Sequence, residues 1–118
     1  AYCRSKLANV LHARALGKRF AGDGIVAHAV HPGVVGSNFI THASESTQAY
    51  MRTLKAQTPA EGANTLIWLC TADEPGRASG LYFYNERNEK PPNAFAADDA
   101  NLDRLWTESE RLLARSGR

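Results

Sequence analysis

The feature that most constrains the fold is the short apolar run IVAHAV at positions 25–30, with turn residues on both sides. Its β-branched residues Ile25, Val26 and Val30 favour a β-strand. The run is apolar almost continuously rather than at every second position, which predicts a strand buried on both faces, as in a parallel sheet. The preceding AGDG and the following Pro32-Gly33 indicate where the strand begins and ends.

Helical patterns flank this strand. Residues 2 to about 20 carry apolar side chains near helical spacing, at Leu7, Val10, Leu11 and Leu16. A polar segment over about 40–57 predicts short helices. TPAEGANTLIWLC then predicts a helix with Thr58 as N-cap, Pro59 at its first position and Glu61 completing a capping box.

The remaining chain continues the alternation. GLYFY at 80–84 predicts a second strand, NEKPPN predicts a loop, and an amphipathic helix is expected over about 98–115. Alternating helices and strands favour an α/β layer fold with parallel strands. Two strands make a poor sheet, residue 1 is not methionine, and no capping residue precedes the first helix. We therefore expect a fragment whose N-terminal part is missing.

Composition excludes several classes of protein. The 118-residue chain has a formal net charge of +2 and scattered basic residues, which argues against a nucleic-acid partner. No apolar run approaches the roughly 18 residues that a membrane span needs, and no signal peptide is visible. Cys3 and Cys70 fit neither metal spacing nor a disulfide framework, so reduced thiols in an intracellular protein are expected.

Tyr2 and Lys6 are the first candidates for chemistry. Four residues apart, they lie on one face of the predicted helix. An ammonium beside a phenol favours its ionised form, so the pair is suited to proton transfer. The spacing alone also arises by chance, and the alternative is a surface tyrosine beside a surface lysine.

The loop after the strand, PGVVGSNF, is the second candidate. Ligands of open α/β sheets bind outside the carboxyl ends of the strands. Gly33 permits close backbone approach, and Ser37 offers a hydroxyl. The alternative is an ordinary turn at the end of a strand.

Taken in order, these motifs resemble the short-chain dehydrogenase/reductase family. YCRSKLAN is followed by VHPGVVGSNF, TPAEGANTLIWL, SGLYFY and LWTESERLL. The set is similar to the retinol dehydrogenase branch, which includes the WW-domain oxidoreductases. The resemblance implies the C-terminal part of a single Rossmann-like domain with a doubly wound parallel sheet, spanning residues 1–118.

The resemblance also implies an activity: hydride transfer between NADP or NAD and an alcohol/carbonyl pair. Tyr2 would be the general acid/base, and Lys6 would assist it and bind the nicotinamide ribose. Pro32, Gly33 and Val35 would line the nicotinamide. Ser37 stands where the family usually has threonine, and its hydroxyl would hold the carboxamide or a phosphate oxygen.

Other parts of the family pattern are expected before residue 1. These are the glycine-rich loop, the residue that selects NAD or NADP, the catalytic serine and the supporting asparagine. Ser5 and Asn9 do not replace them. Membrane association through such a segment and a cytoplasmic location both stay open, as do a lipophilic substrate and a homo-oligomer.

Three further groups of residues have both a structural and a functional interpretation. His28 and His31 are expected to be hydrogen-bonded strand histidines rather than metal ligands or bases, and no metal site is predicted. Trp68 and Trp106 are expected in the core. Segment 38–57 is either plain surface helix or a substrate lid, with an apolar set at Phe39, Ile40, Tyr50 and Met51.

Two rivals to the enzyme remain. One is a binding or scaffold protein that keeps the Rossmann-like fold without catalysis. The other is an interaction domain that relies on the amphipathic last helix.

Overall fold

A computed structural model describes residues 2–84 and 87–117, with Phe39 described by its backbone alone. Its helices and strands follow the order α1 (Tyr2–Arg19), β1 (Ala29–His31), α2 (Glu45–Thr53), α3 (Pro59–Thr71), β2 (Tyr82–Tyr84), β3 (Asn88–Glu89), α4 (Ala94–Ala97) and α5 (Asp99–Arg115). Short 3-10 helices occupy Ala21–Asp23, Asn38–His42 and Pro75–Arg77.

The strands form one sheet in the order β1-β2-β3. β1 and β2 are parallel, with Ala29 opposite Tyr82 and His31 opposite Tyr84. β2 and β3 are antiparallel, with Phe83 opposite Glu89. The parallel pair with helices between its strands confirms the α/β prediction, and it brings the carboxyl ends of β1 and β2 to the same edge.

The prediction of a six-residue strand buried on both faces was wrong. β1 is three residues long and partly exposed, and Ile25 and Val26 before it are 49% and 43% exposed. Ala27 donates its N–H to the Ser79 hydroxyl (2.9 Å) instead of to a backbone carbonyl, so the ladder starts later. Among the described residues β1 also pairs on one side alone, which leaves its other edge open.

The prediction that NEKPPN forms a loop was also partly wrong. Asn88–Glu89 forms β3, and Lys90 continues the pairing by donating to the Tyr82 carbonyl (2.8 Å). Asn93 then caps α4, because its side chain accepts from the N–H groups of Phe95 and Ala96. A strand of two residues has no period of its own, so its sequence gave no signal.

The predicted helices are confirmed, including the α3 capping box. Thr58 N–H donates to the Glu61 carboxylate (2.7 Å), and Glu61 N–H donates to the Thr58 hydroxyl (3.2 Å). Of the helices within the described ranges, none combines the length and apolar character that crossing a bilayer requires.

The core lies between α1, α4 and α5. Leu102 is 1% exposed and packs with Leu11, Ala15 and Ala96. The apolar stripe of α5 is packed in its first half alone, because Leu112 and Leu113 are more than half exposed.

Both tryptophans lie at the margin of the packed interior rather than deep inside it. Trp106 is partly buried and stacks on His12, and its N–H donates to Glu110 (2.7 Å). Trp68 meets the buried Phe83 edge-on, with ring centroids 5.5 Å apart. The prediction of core positions therefore holds in part.

Candidate active site

The first turn of α1 presents Tyr2 and Lys6 on one face. The Lys6 ammonium nitrogen lies 5.4 Å from the centroid of the Tyr2 ring, within range of a cation–π contact. Ser5 turns its hydroxyl back to the Tyr2 carbonyl (2.7 Å). Tyr2 is 55% exposed, so its ring is accessible from outside.

The loop after β1 turns sharply at Gly33. Gly33 has φ +90°, a left-handed conformation that favours glycine, and its N–H donates to Nδ1 of His31 (2.9 Å). The histidine therefore closes the turn that follows its own strand. This turn brings the loop to the side of Tyr2.

Two adjoining cavities meet at Tyr2, and both are lined by His31, Pro32 and Gly33. The first, here named the loop cavity, has a volume of about 820 Å³ and runs along the loop to Ile40 and Met51. The second, the helix cavity, has a volume of about 660 Å³ and runs along α1 past Lys6 and Asn9 to Tyr82.

Most of the residues selected from the sequence line these cavities. Lys6 lines the helix cavity, and the loop cavity is lined by Pro32, Gly33, Val35, Ser37, Ile40 and Met51, with Tyr2 shared. Tyr50 does not: it is 63% exposed and lies outside both linings, so the structure does not bring this predicted lid residue to the cavities. The side chain of Phe39 lies outside the described part of the chain.

Sequence reasoning missed several lining residues. The loop cavity also contacts Val34, His42, Ala43 and Thr47. His31 is predicted from the sequence only as a hydrogen-bonded strand histidine, yet it lines both cavities. Its signal was its place directly before Pro32, at the last position of β1.

Tyr82 is a second tyrosine of the helix cavity. Burial raises the pKa of its phenol, and the neighbouring Tyr84 raises it further. A raised pKa holds Tyr82 in the neutral form through a wider pH range, which makes it a poor proton acceptor near neutral pH. Tyr2 is the better candidate of the two because it lines both cavities, whereas Tyr82 lines the helix cavity alone.

His28 has a structural role, as predicted. Its Nε2 lies 2.9 Å from the Pro75 carbonyl oxygen, and its Nδ1 is 3.3 Å from the N–H of Leu81. A neutral ring with the proton on Nε2 satisfies both contacts. Within residues 2–84 and 87–117, no group of three or more His, Cys, Asp or Glu side chains is placed to hold a metal ion. Cys3 and Cys70 are both exposed free thiols.

Comparison with known proteins identifies relatives of this chain. Retinol dehydrogenase 13 of Mus musculus is 36% identical over 120 residues. Retinol dehydrogenase 12 of Homo sapiens is 39% identical over 115 residues. Each alignment covers 96% of this chain and 36% of the relative. Dehydrogenase/reductase SDR family member 13 of Bos taurus is 38% identical over an alignment of 116 residues, which covers 95% of this chain and 30% of the relative.

The chain thus spans about a third of the length of these relatives. No protein-family model and no solved structure matches it. The parallel strand pair and these relatives define the class as Rossmann-like α/β proteins. Within that class, the chain belongs to the short-chain dehydrogenase/reductase family, in its retinol dehydrogenase-like branch.

Proposed function

We propose that the protein carrying this chain is an oxidoreductase that transfers hydride between NAD or NADP and an alcohol/carbonyl substrate. The observation that carries the proposal is the meeting of Tyr2 and the loop after β1 at two adjoining cavities. The site lies at the carboxyl end of a parallel strand, where open α/β sheets bind ligands. The relatives named as dehydrogenases support the same reaction class.

The residues present fit a nicotinamide nucleotide. Gly33 leaves room for close backbone approach. Pro32, Gly33 and Val35 would hold the nicotinamide, and the Ser37 hydroxyl would bond its carboxamide or a phosphate oxygen. Lys6 lines the helix cavity, where its ammonium group would donate to the ribose hydroxyls.

The protein's part of the reaction is proton handling and positioning. The bound nucleotide supplies or accepts the hydride. The Tyr2 hydroxyl would donate its proton to the carbonyl oxygen during reduction, and the Tyr2 phenolate would take the proton from the alcohol during oxidation. The Lys6 ammonium nitrogen lies 5.4 Å from the centroid of the Tyr2 ring, so the two side chains would act at the same place.

The loop cavity favours a lipophilic substrate. Val34, Ile40 and Met51 supply apolar wall in the cavity that Tyr2 also lines, and an apolar substrate would bury its surface against it. Because two relatives are named retinol dehydrogenases, retinol is the first alcohol to test.

Removal of the Tyr2 hydroxyl tests the proposal in the full-length protein. Tyr2→Phe should lower kcat by about a hundredfold or more, the usual contribution of a general acid/base, while nucleotide affinity stays nearly unchanged. Turnover and nucleotide titration measure the two effects. Tyr50→Phe is the matched control, because Tyr50 is exposed outside both cavities, and it should keep full activity.

An unchanged kcat in Tyr2→Phe would contradict the assignment of the acid/base. Tight nucleotide binding by a wild-type protein that turns over no alcohol or carbonyl would favour a Rossmann-like binding or scaffold protein instead.

A further inference from the structure

The loop after β1 is hydrogen-bonded to Gln57, a residue outside the loop. Gln57 N–H donates to the Val34 carbonyl (2.8 Å), and Gly36 N–H donates to the Gln57 carbonyl (2.8 Å). These two bonds form a short parallel bridge with Val35 opposite Gln57. Because Gln57 directly precedes the N-cap of α3, the start of that helix anchors the loop.

The first turns of α3 also contact Val35 directly. Gly62 is buried, and a Cβ atom added to it would lie 2.5 Å from Cγ2 of Val35 and 3.4 Å from Cγ1. A contact of 2.5 Å is far inside van der Waals range, so the helix can approach the loop this closely only with glycine at position 62. The backbone of Gly62 is not in the left-handed region, so the glycine serves for space and not for its torsion angles.

The contact between Gly62 and Val35 affects the wall of the loop cavity. Val35 lines the loop cavity together with Tyr2 and Ser37. A methyl group at position 62 would force Val35 to turn about its stiff χ1 angle or would shift the loop. Either relief changes the cavity wall.

We propose that Gly62 is a positioning residue of this site: lacking a side chain, it lets α3 press on Val35 and so fixes the loop that receives the nucleotide. The identity of the ligand rests on the proposed function. The positioning itself rests on the contacts among Gly62, Val35 and Gln57.

Gly62→Ala in the full-length protein tests the inference. Alanine favours the helix more than glycine does, so a defect cannot be assigned to weaker helix formation. KM for the nucleotide should rise roughly tenfold, as expected for an overpacked contact, and kcat should change much less. The Gly36 amide, which the Gln57 carbonyl protects, should exchange its hydrogen faster.

Two further variants make the result specific. Gly22→Ala is the matched control, because an added Cβ there meets no atom within 4 Å, and it should leave both KM and exchange unchanged. Val35→Ala combined with Gly62→Ala is the rescue, because it removes both methyl groups that meet the new Cβ while the Val35 Cβ lies at an ordinary 3.5 Å. The double variant should recover the protection at Gly36, and this exchange is the readout of the rescue because Val35 itself lines the loop cavity.

Several results would overturn the inference: unchanged exchange at Gly36 in Gly62→Ala, equally fast exchange at Gly36 in the single and double variants, or a fall in kcat of Gly62→Ala with no change in its KM. If the wild-type protein bound no nucleotide, the proposed function would fail by itself. The exchange data would then still decide whether Gly62 sets the position of the loop.

Discussion

The ammonium nitrogen of Lys6 lies 5.4 Å from the centroid of the Tyr2 ring. It also lines the helix cavity, which Tyr2 shares with the loop cavity. In the proposed function this ammonium group contacts the side chain of Tyr2 and donates hydrogen bonds to the nucleotide ribose. The loss of its side chain should therefore affect nucleotide affinity and not the fold, because Lys6 is exposed at the surface of α1.

Lys6→Ala should raise the nucleotide Kd by about ten- to a hundredfold, the value expected when a hydrogen bond from a charged donor is lost. Titration of the full-length protein measures it. Arg4→Ala is the control, because Arg4 is an exposed cation of the same helix outside both cavity linings. Equal affinity of Lys6→Ala and wild type would remove Lys6 from the nucleotide site.

His31 has a role in the candidate site that its position in the sequence does not indicate. Its type and place suggested a satisfied strand histidine, and its Nδ1 does accept from Gly33. The contact that matters for the site is the shared wall of both cavities, which depends on residues far along the chain. No local pattern in the sequence reports such a contact.

At the scale of elements, the start of α3 is the part on which the loop depends. The bonds from the Thr58 N–H and hydroxyl lower the pKa of the Glu61 carboxyl, and the charge of Lys55 lowers it further. A carboxyl whose folded pKa lies below its unfolded value stabilises the fold above the unfolded pKa. This contribution is lost as the pH falls through the folded pKa.

Glu61→Gln should therefore lower Tm near neutral pH, and the difference from wild type should shrink as the pH falls from about 6 to about 3. Thermal unfolding of the full-length protein at a series of pH values measures this. Glu45→Gln is the control, since Glu45 begins α2 and takes no part in this cap. A difference that stayed constant with pH would contradict the role of the Glu61 charge.

The helices were predictable because their signals are local. The capping box of α3 and the apolar spacing of α1 lie within a few residues of the structure they specify. The strands were less predictable from the sequence. The side chain of Ser79 takes the Ala27 N–H and so shortens β1, and β3 forms through its pairing with β2. The approach of Gly62 to Val35 joins residues 27 positions apart and was not predictable for the same reason.

At the scale of the molecule, the 118 residues are loosely packed. The radius of gyration is 16.3 Å, whereas a compact domain of this length has about 13.5 Å. Large apolar side chains are exposed, among them Ile25 and Val26 before β1 and Leu66 and Ile67 on α3. The open edge of β1 adds unpaired backbone groups, which favour association with other chains.

We therefore expect the isolated 118-residue chain to aggregate or to lack a cooperative thermal transition. Near-UV circular dichroism and sedimentation during heating measure this. A monomer with a native-like near-UV signal and one sharp transition would contradict the expectation, and it would favour a free-standing interaction domain.

The central claim is hydride transfer at the site of Tyr2, and isotope transfer tests it most directly. The full-length wild-type protein is incubated with oxidised NAD or NADP and a panel of lipophilic alcohols deuterated at the carbinol carbon. Deuterium should appear in the reduced nucleotide, at a rate at least about a hundredfold lower in Tyr2→Phe. A protein that binds the nucleotide but transfers no deuterium from any of the alcohols, or that transfers it equally fast in Tyr2→Phe, would contradict it.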